Sequence, residues 1–148
     1  MIQLPPDFSE FLKLLNVHGV KYLLIGGYAV AYYGYPRATA DMDVWIAIDP
    51  TNAEKMCEAV RAFGMSGAML KADLFLEQDK IVRMGVPPLR LEILTTISGV
   101  TFDEAYAARQ SVQIAGTPVS LISKEHLIQN KRASARHKDL ADVEQLSS

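Results

Sequence analysis

The chain has 148 residues, 49% of them apolar and 22% charged, with a formal net charge of −2. That size and mixture suit one globular domain whose core needs neither disulfides nor a structural metal. The near-neutral balance excludes a surface that grips nucleic acid along its whole extent. The single cysteine, Cys57, excludes an internal disulfide and a cysteine-based zinc site, and points to a reducing compartment.

The opening Met-Ile-Gln-Leu-Pro-Pro lacks the basic region and apolar core of a secretion signal. The longest apolar stretch, residues 22–35, is interrupted by glycine and too short for a bilayer. A cytoplasmic protein with no membrane partner is expected. Asp7 with Glu10 has the form of a capping box, and Phe11, Leu12, Leu14 and Leu15 make a helical stripe that runs to about Val17 before Gly19. Residues 20–25 are too short an apolar run for a helix and read as a buried strand. Residues 28–33 are apolar all round, as expected of a buried helix opening directly from Gly26-Gly27.

From Asp41 the chain alternates, with Met42, Val44, Ile46 and Ile48 pointing one way and Asp41, Asp43, Trp45 and Ala47 the other. Thr51-x-x-Glu54 is placed to cap a helix whose Ala53, Met56, Cys57, Val60 and Phe63 form the buried stripe before Gly64. Residues 65–77 fit neither period. Residues 80–86 and 89–95 predict two strands joined at Pro87-Pro88, where the missing N–H donors suit a turn. Thr101-x-x-Glu104 starts a short helix, and residues 111–115 and 118–122 predict a hairpin turning at Gly116-Thr117. Two C-terminal helices follow, capped by Ser123 and Asp139, with a break within residues 134–138. The expected fold class is therefore α/β, of the α+β kind. One domain, residues 1–148, has a core at about 20–96 and a C-terminal hairpin and helices at about 101–148. Helices are expected on one face of a small mixed sheet and a cleft with the acids on the other.

Gly26-Gly27, between a strand and a helix, permits a sharp turn and lets backbone N–H groups approach a phosphate, although such a pair alone usually marks only a tight turn. Asp41 and Asp43, two apart on a strand, can aim their carboxylates at a hard cation; taken alone they read as a solvated strand end. Glu92, on a strand whose Leu91 and Ile93 face the other way, adds a third carboxylate, against which stands a plain ion pair with Arg90 on the same face. Lys124, Lys131, Arg132, Arg136 and Lys138 form a local basic cluster whose ordinary meaning is a solvated helix face. Trp45 reads as packing, Asp139 as an N-cap and Asp142 as the partner of a nearby base. His18, His126 and His137 are too scattered for a metal site.

The order Leu24-Ile25-Gly26-Gly27, then a helix, then Arg37-Ala38-Thr39-Ala40-Asp41-Met42-Asp43, with Leu91-Glu92-Ile93 and the ending Leu127-Ile128-x-x-Lys131, Arg136-x-Lys138-Asp139-x-x-Asp142, resembles the nucleotidyltransferase superfamily. That superfamily includes DNA polymerase beta and the small enzymes of bacterial defence and toxin–antitoxin modules. The resemblance implies a Mg²⁺-dependent transfer of a nucleotide from an NTP to an acceptor hydroxyl on RNA, protein or a small molecule. Two Mg²⁺ ions, or Mn²⁺ in their place, would be held by Asp41, Asp43 and Glu92. Gly26, Gly27, Arg37, Thr39, Lys131 and Lys138 would bind the nucleotide, with a cognate protein as a further partner. Gly27 stands where many active members carry serine, and Glu92 is one methylene longer than the aspartate often found there. The competing expectation is a catalytically quiet nucleotide-binding module that neutralises a partner, as an antitoxin does. An aminoglycoside-type modifier ranks lower, because the chain is short and shows no dedicated acidic pocket.

Overall fold

The alternating strand that begins at Asp41 is a central strand of the molecule. The structure, a computed structural model, describes residues 2–34, 39–65, 67, 70–85 and 89–147. Among these the chain runs α1 (Pro6–Val17), β1 (Tyr22–Ile25), α2 (Gly26–Tyr33), β2 (Asp41–Ile46), α3 (Pro50–Phe63), β3 (Ile81–Met84), β4 (Arg90–Leu94), α4 (Phe102–Ala107), β5 (Gln110–Ile114), β6 (Thr117–Leu121), α5 (Lys124–Ser134) and α6 (His137–Ser147). A 3-10 turn at Ala72–Phe75 occupies part of the stretch that fits neither period. The sheet order is β3-β4-β2-β1-β6-β5. β2 lies antiparallel to β1 and parallel to β4, and two antiparallel hairpins form the edges, so the sheet is mixed as expected.

Register decides which side chains share a face. Val44 lies beside Leu24 and Ile93, and Met42 beside Leu91, giving one continuous apolar face. Helices α1 and α3 cover it: Phe11 meets Phe63 edge-on, the Tyr22 hydroxyl donates to Asn16, and the Ser9 and Thr117 hydroxyls are bonded at 2.6 Å. The opposite face carries Asp41, Asp43 and Trp45. There Trp45 packs on Phe102 of α4 and donates its ring N–H to the Thr95 carbonyl, so its role is packing. Tyr32 of α2 is exposed, so that helix is not buried all round.

Several helix starts differ from expectation. α1 begins with Pro6 in its first turn and no side-chain cap, so Asp7 and Glu10 do not form a capping box. α3 is capped by Asp49, whose carboxylate accepts from the Asn52 N–H, and not by Thr51. Pro50 fixes the first helical φ there, which leaves Asp49 in the extended geometry that a cap needs. Thr101 precedes α4 without a cap bond, whereas Ser123 caps α5 through the His126 N–H. The β5–β6 turn is Ala115-Gly116, both at positive φ, and Thr117 already pairs in β6. The turn expected at Pro87-Pro88 lies outside the described residues.

Candidate active site

The acids meet the glycines because β1 and β2 are antiparallel, which puts the end of β1 beside the start of β2. Ile25 is register partner to Asp43, so the chain leaves β1 at Gly26 directly over the Asp43 side chain. Gly26 has φ +69, and a Cβ there would overlap Asp43 Oδ2 and stand 3.0 Å from its Cγ. Only glycine allows the turn and the close approach together. At Gly27 a Cβ would meet Thr39 Cγ2 at 2.7 Å, so the second glycine makes room for Thr39.

Parallel pairing sets Asp43 beside Glu92 and Asp41 beside Arg90. Asp43 is half-buried and its Oδ1 is buried with no hydrogen-bond partner among the described residues. Burial pushes the Asp43 carboxyl up to about 7. The charge of Glu92 and a hydrogen bond with it add to the shift, as does Asp41, while Lys131 pulls the other way. Acids gathered in a poorly solvated corner with too little positive charge are in the condition that a bound cation relieves.

Glu92 is not paired with Arg90. Its partner is Arg83 on the edge strand β3, with Nε 3.1 Å from Oε1. Register explains this, since Arg83 and Glu92 are direct neighbours across β3 and β4. Arg83 was not singled out from sequence; the register of β3 on β4 is what brings it to Glu92. Among the described residues no three carboxylates, histidines or cysteines converge as a ready metal cage. Asp41 stands exposed at the strand start, one pleat from Asp43.

Lys131 is the other surprise. It belongs to the basic cluster by sequence, but its side chain is buried and held by Asp139 at 3.2 Å and Asp142 at 3.3 Å. Asp139 is not an N-cap. It sits in the first turn of α6, buried, and also accepts from Arg136 and Ser134. Burial alone would raise its carboxyl, but the bonds from Arg136, Lys131 and Ser134 outweigh it and hold Asp139 well below the usual carboxylate range. The base expected beside Asp142 is thus Lys131.

Two hollows share Asp43 in their lining. One, of about 340 Å³, is lined by Gly27, Thr39, Asp41, Asp43, Lys138 and Asp142. The other, of about 270 Å³, places Gly26 and Asp43 opposite Lys131 and Arg136. Every sequence-predicted site residue that is described therefore lies around Asp43, with Glu92 beside it in the sheet; Arg37 lies outside the described residues. Asp142, expected to pair with a nearby base, does so with Lys131 and also stands on the cleft wall.

A mixed sheet with a glycine turn over paired strand carboxylates, closed by C-terminal helices, defines the nucleotidyltransferase fold. The chain is similar in structure to the lincosamide antibiotic adenylyltransferase LnuA in its lincomycin-bound form, with a TM-score of 0.62 at 15% identity over 100% of this chain and 99% of that one. It is similar to ANT(2")-Ia, solved with adenylyl-2"-tobramycin, with a TM-score of 0.58 at 17% identity over 93% and 83%. An antigenic nucleotidyltransferase-like protein from Paracoccidioides brasiliensis gives 0.56 at 18% identity over 94% and 71%. At such identities the likeness is one of fold. No curated protein matches the sequence significantly. Residues 6–148 match the family described as nucleotidyl transferase of unknown function, DUF2204, and the chain belongs to that family of nucleotidyltransferases. No helix among the described residues is long and apolar enough to cross a membrane.

Proposed function

We propose that the chain moves a nucleoside monophosphate from an NTP to the hydroxyl of a small-molecule acceptor, with Mg²⁺ as the resident cation. The observation that carries this reading is the unpartnered, buried Oδ1 of Asp43 beside Glu92, under a glycine turn at a helix N-terminus. Mg²⁺, or Mn²⁺ in its place, held by Asp43 and Glu92 with Asp41 at the strand start, supplies charge neutralisation and a more acidic attacking hydroxyl. The α2 N-terminus offers backbone N–H groups to the phosphates, with Gly27 keeping that approach open. Lys131, fixed by two carboxylates, acts as a stationary positive charge facing Asp43, and Lys138 lies on the cleft wall where a phosphate tail would run. The acceptor oxygen bonds to the α-phosphorus as the bond to the bridging oxygen breaks. Pyrophosphate leaves with that electron pair, and the hydroxyl proton goes to a site carboxylate or to water.

A small-molecule acceptor is favoured because two neighbours in fold are described as an antibiotic adenylyltransferase and as a complex with an adenylylated antibiotic. The test incubates the protein with NTPs labelled at the α-phosphate, Mg²⁺, and separate pools of metabolites, RNA and protein. Label in the metabolite pool that vanishes with Asp43→Ala supports the reading; no transfer, or transfer that survives Asp43→Ala, refutes it. One observation favours a second reading, a nucleotide-binding module that neutralises a partner in a toxin–antitoxin or phage-defence setting: Arg83 already occupies Glu92. Tight partner binding that persists in Asp41→Ala and Asp43→Ala proteins without catalysis would select it.

A further inference from the structure

The sheet ends in two unlike edges. β5, on one side, is mostly polar, with Gln110, Ser111 and Gln113 exposed, and polar edges of this kind discourage pairing with another chain. β3, on the other, reads Ile-Val-Arg-Met, and no strand covers its outer side among the described residues. Ile81 is 43% exposed there. On the helix-covered face beside β3, a hollow of about 180 Å³ is lined by Val60, Leu70, Leu74, Phe75, Val82 and Met84. The hollow and the open edge thus share Val82 and Met84, and the exposed Met65 stands at the same hollow.

Hydrogen-bond parity decides which backbone groups that edge offers. The Thr95 N–H donates to the Lys80 carbonyl, so Ile81 and Leu94 are a non-hydrogen-bonded pair of the ladder, as are Arg83 and Glu92 two residues on. Val82 and Met84 therefore direct their N–H and C=O groups to β4, and Ile81 and Arg83 direct theirs outward. A strand that pairs here must bond to Ile81 and Arg83. A second copy of β3, laid antiparallel, meets that condition in three registers. Centred on Arg83, it sets that cation directly against itself, which is destabilising. Centred on Ile81, it runs Arg83 past the strand end to Asp79, whose φ of +56 is not extended backbone. Centred on Val82, it brings Ile81 beside Arg83 of the second copy, twice by symmetry, and Val82 beside Val82 on the core face.

We propose that β3 is a self-pairing edge, through which two copies of this chain join in an antiparallel, two-fold-symmetric ladder centred on Val82. Each Ile81 then lies along the aliphatic stem of the other copy's Arg83, and the two Val82 side chains meet beside the apolar hollows. The inference stands apart from the transfer reading, since pairing needs neither nucleotide nor turnover.

Sedimentation of the full-length protein from about 1 to about 200 µM should show a dimer that grows with concentration. Ile81→Pro removes only an outward N–H donor, which an edge strand tolerates, and should leave a monomer with native circular dichroism. Charge reports the register. Ile81→Lys opposes Arg83 of the other copy and Ile81→Glu complements it, so at low salt the first should dissociate roughly threefold to tenfold more readily than the second. Val82→Cys, at the two-fold axis where facing Cα atoms stand about 4.5 Å apart, should oxidise to a covalent dimer in a Cys57→Ala background, and Gln113→Cys on β5 should not. A protein that stays monomeric across the range leaves the edge to a different chain and overturns the proposal, as does a dimer that survives Ile81→Pro. Equal affinities of Ile81→Lys and Ile81→Glu, or cross-linking at Gln113→Cys in place of Val82→Cys, put the contact elsewhere and overturn it too.

Discussion

Lys131 Nζ lies 3.2 Å from Asp139 Oδ1, and both side chains are buried where α5 hands over to α6. The handover is abrupt, because Ala135 adopts φ +53 and ends α5 before Arg136 reaches forward to Asp139 at 2.7 Å. The ion pair therefore fixes the angle between the two helices as well as the position of the ammonium that faces Asp43. Removing one partner of a buried pair leaves the other uncompensated and typically costs about 3–5 kcal/mol. Asp139→Asn should lower unfolding stability on the order of 3 kcal/mol, read as a shift in denaturant midpoint at unchanged slope. A loss under about 1 kcal/mol would mean that Asp142 alone suffices for Lys131.

The same carboxylate sets an acid limit. Asp139 is held below its ordinary range, so it stabilises the fold above the unfolded value of about 3.9 and loses that contribution as pH falls through its own lower pKa. The group that titrates in this window is the Asp139 carboxyl. The stability gap between the native protein and Asp139→Asn should hold steady above about pH 5 and close progressively below about pH 4. Denaturant melts at pH 6, 4 and 3 check this; a gap that widens in acid would contradict the assignment.

The two glycines should fail in different ways. Gly26→Ala combines a left-handed backbone, which costs an ordinary residue roughly 1–2 kcal/mol, with overlap on Asp43 itself. It should lower stability and displace the central acid, and no neighbouring change should restore activity. Gly27 has no positive φ, and its conflict is with the Thr39 methyl at 2.7 Å. Gly27→Ala should therefore be substantially repaired by Thr39→Ser, which removes that methyl. Equal repair of both variants, or of neither, would show that the glycines serve the backbone turn alone.

Periodicity made most of the fold legible: the alternation from Asp41 fixed β2 and its two faces, and the short apolar run before Gly26-Gly27 fixed β1. What escaped depends on distance through space. The Thr51-x-x-Glu54 spacing matched a capping box, but Asp49 directly before Pro50 was the stronger local signal, since proline favours the first turn and an acid before it can reach the Asn52 N–H. The buried role of Asp139 was hidden because its cations come from the preceding helix and from Arg136, and α5 and α6 meet at an angle that the sequence does not spell out. The glycines and the paired acids were readable as a group because β1, α2 and β2 follow one another with short connections. Arg83 was missed because only the register of the β3–β4 hairpin brings it to Glu92.

That register makes the last prediction. Arg83 is more than half exposed while Glu92 is mostly enclosed, so their bond contributes less than about 1 kcal/mol to the fold. Its charge nonetheless sits at the edge of the acid cluster, where it opposes any cation that Glu92 would help to hold. Arg83→Ala should leave thermal unfolding nearly unchanged and tighten Mn²⁺ binding on the order of threefold to tenfold, as expected for removing one screened positive charge a few ångströms from a divalent ion. Glu92→Gln should weaken binding of the same ion, and Arg83→Lys should behave as the native protein does. Calorimetric titration with Mn²⁺, or its electron paramagnetic signal, reads all three directly. If Arg83→Ala leaves the affinity unchanged while Asp43→Ala abolishes it, the cation rests on the β2 acids alone and Glu92 belongs to the sheet edge with Arg83.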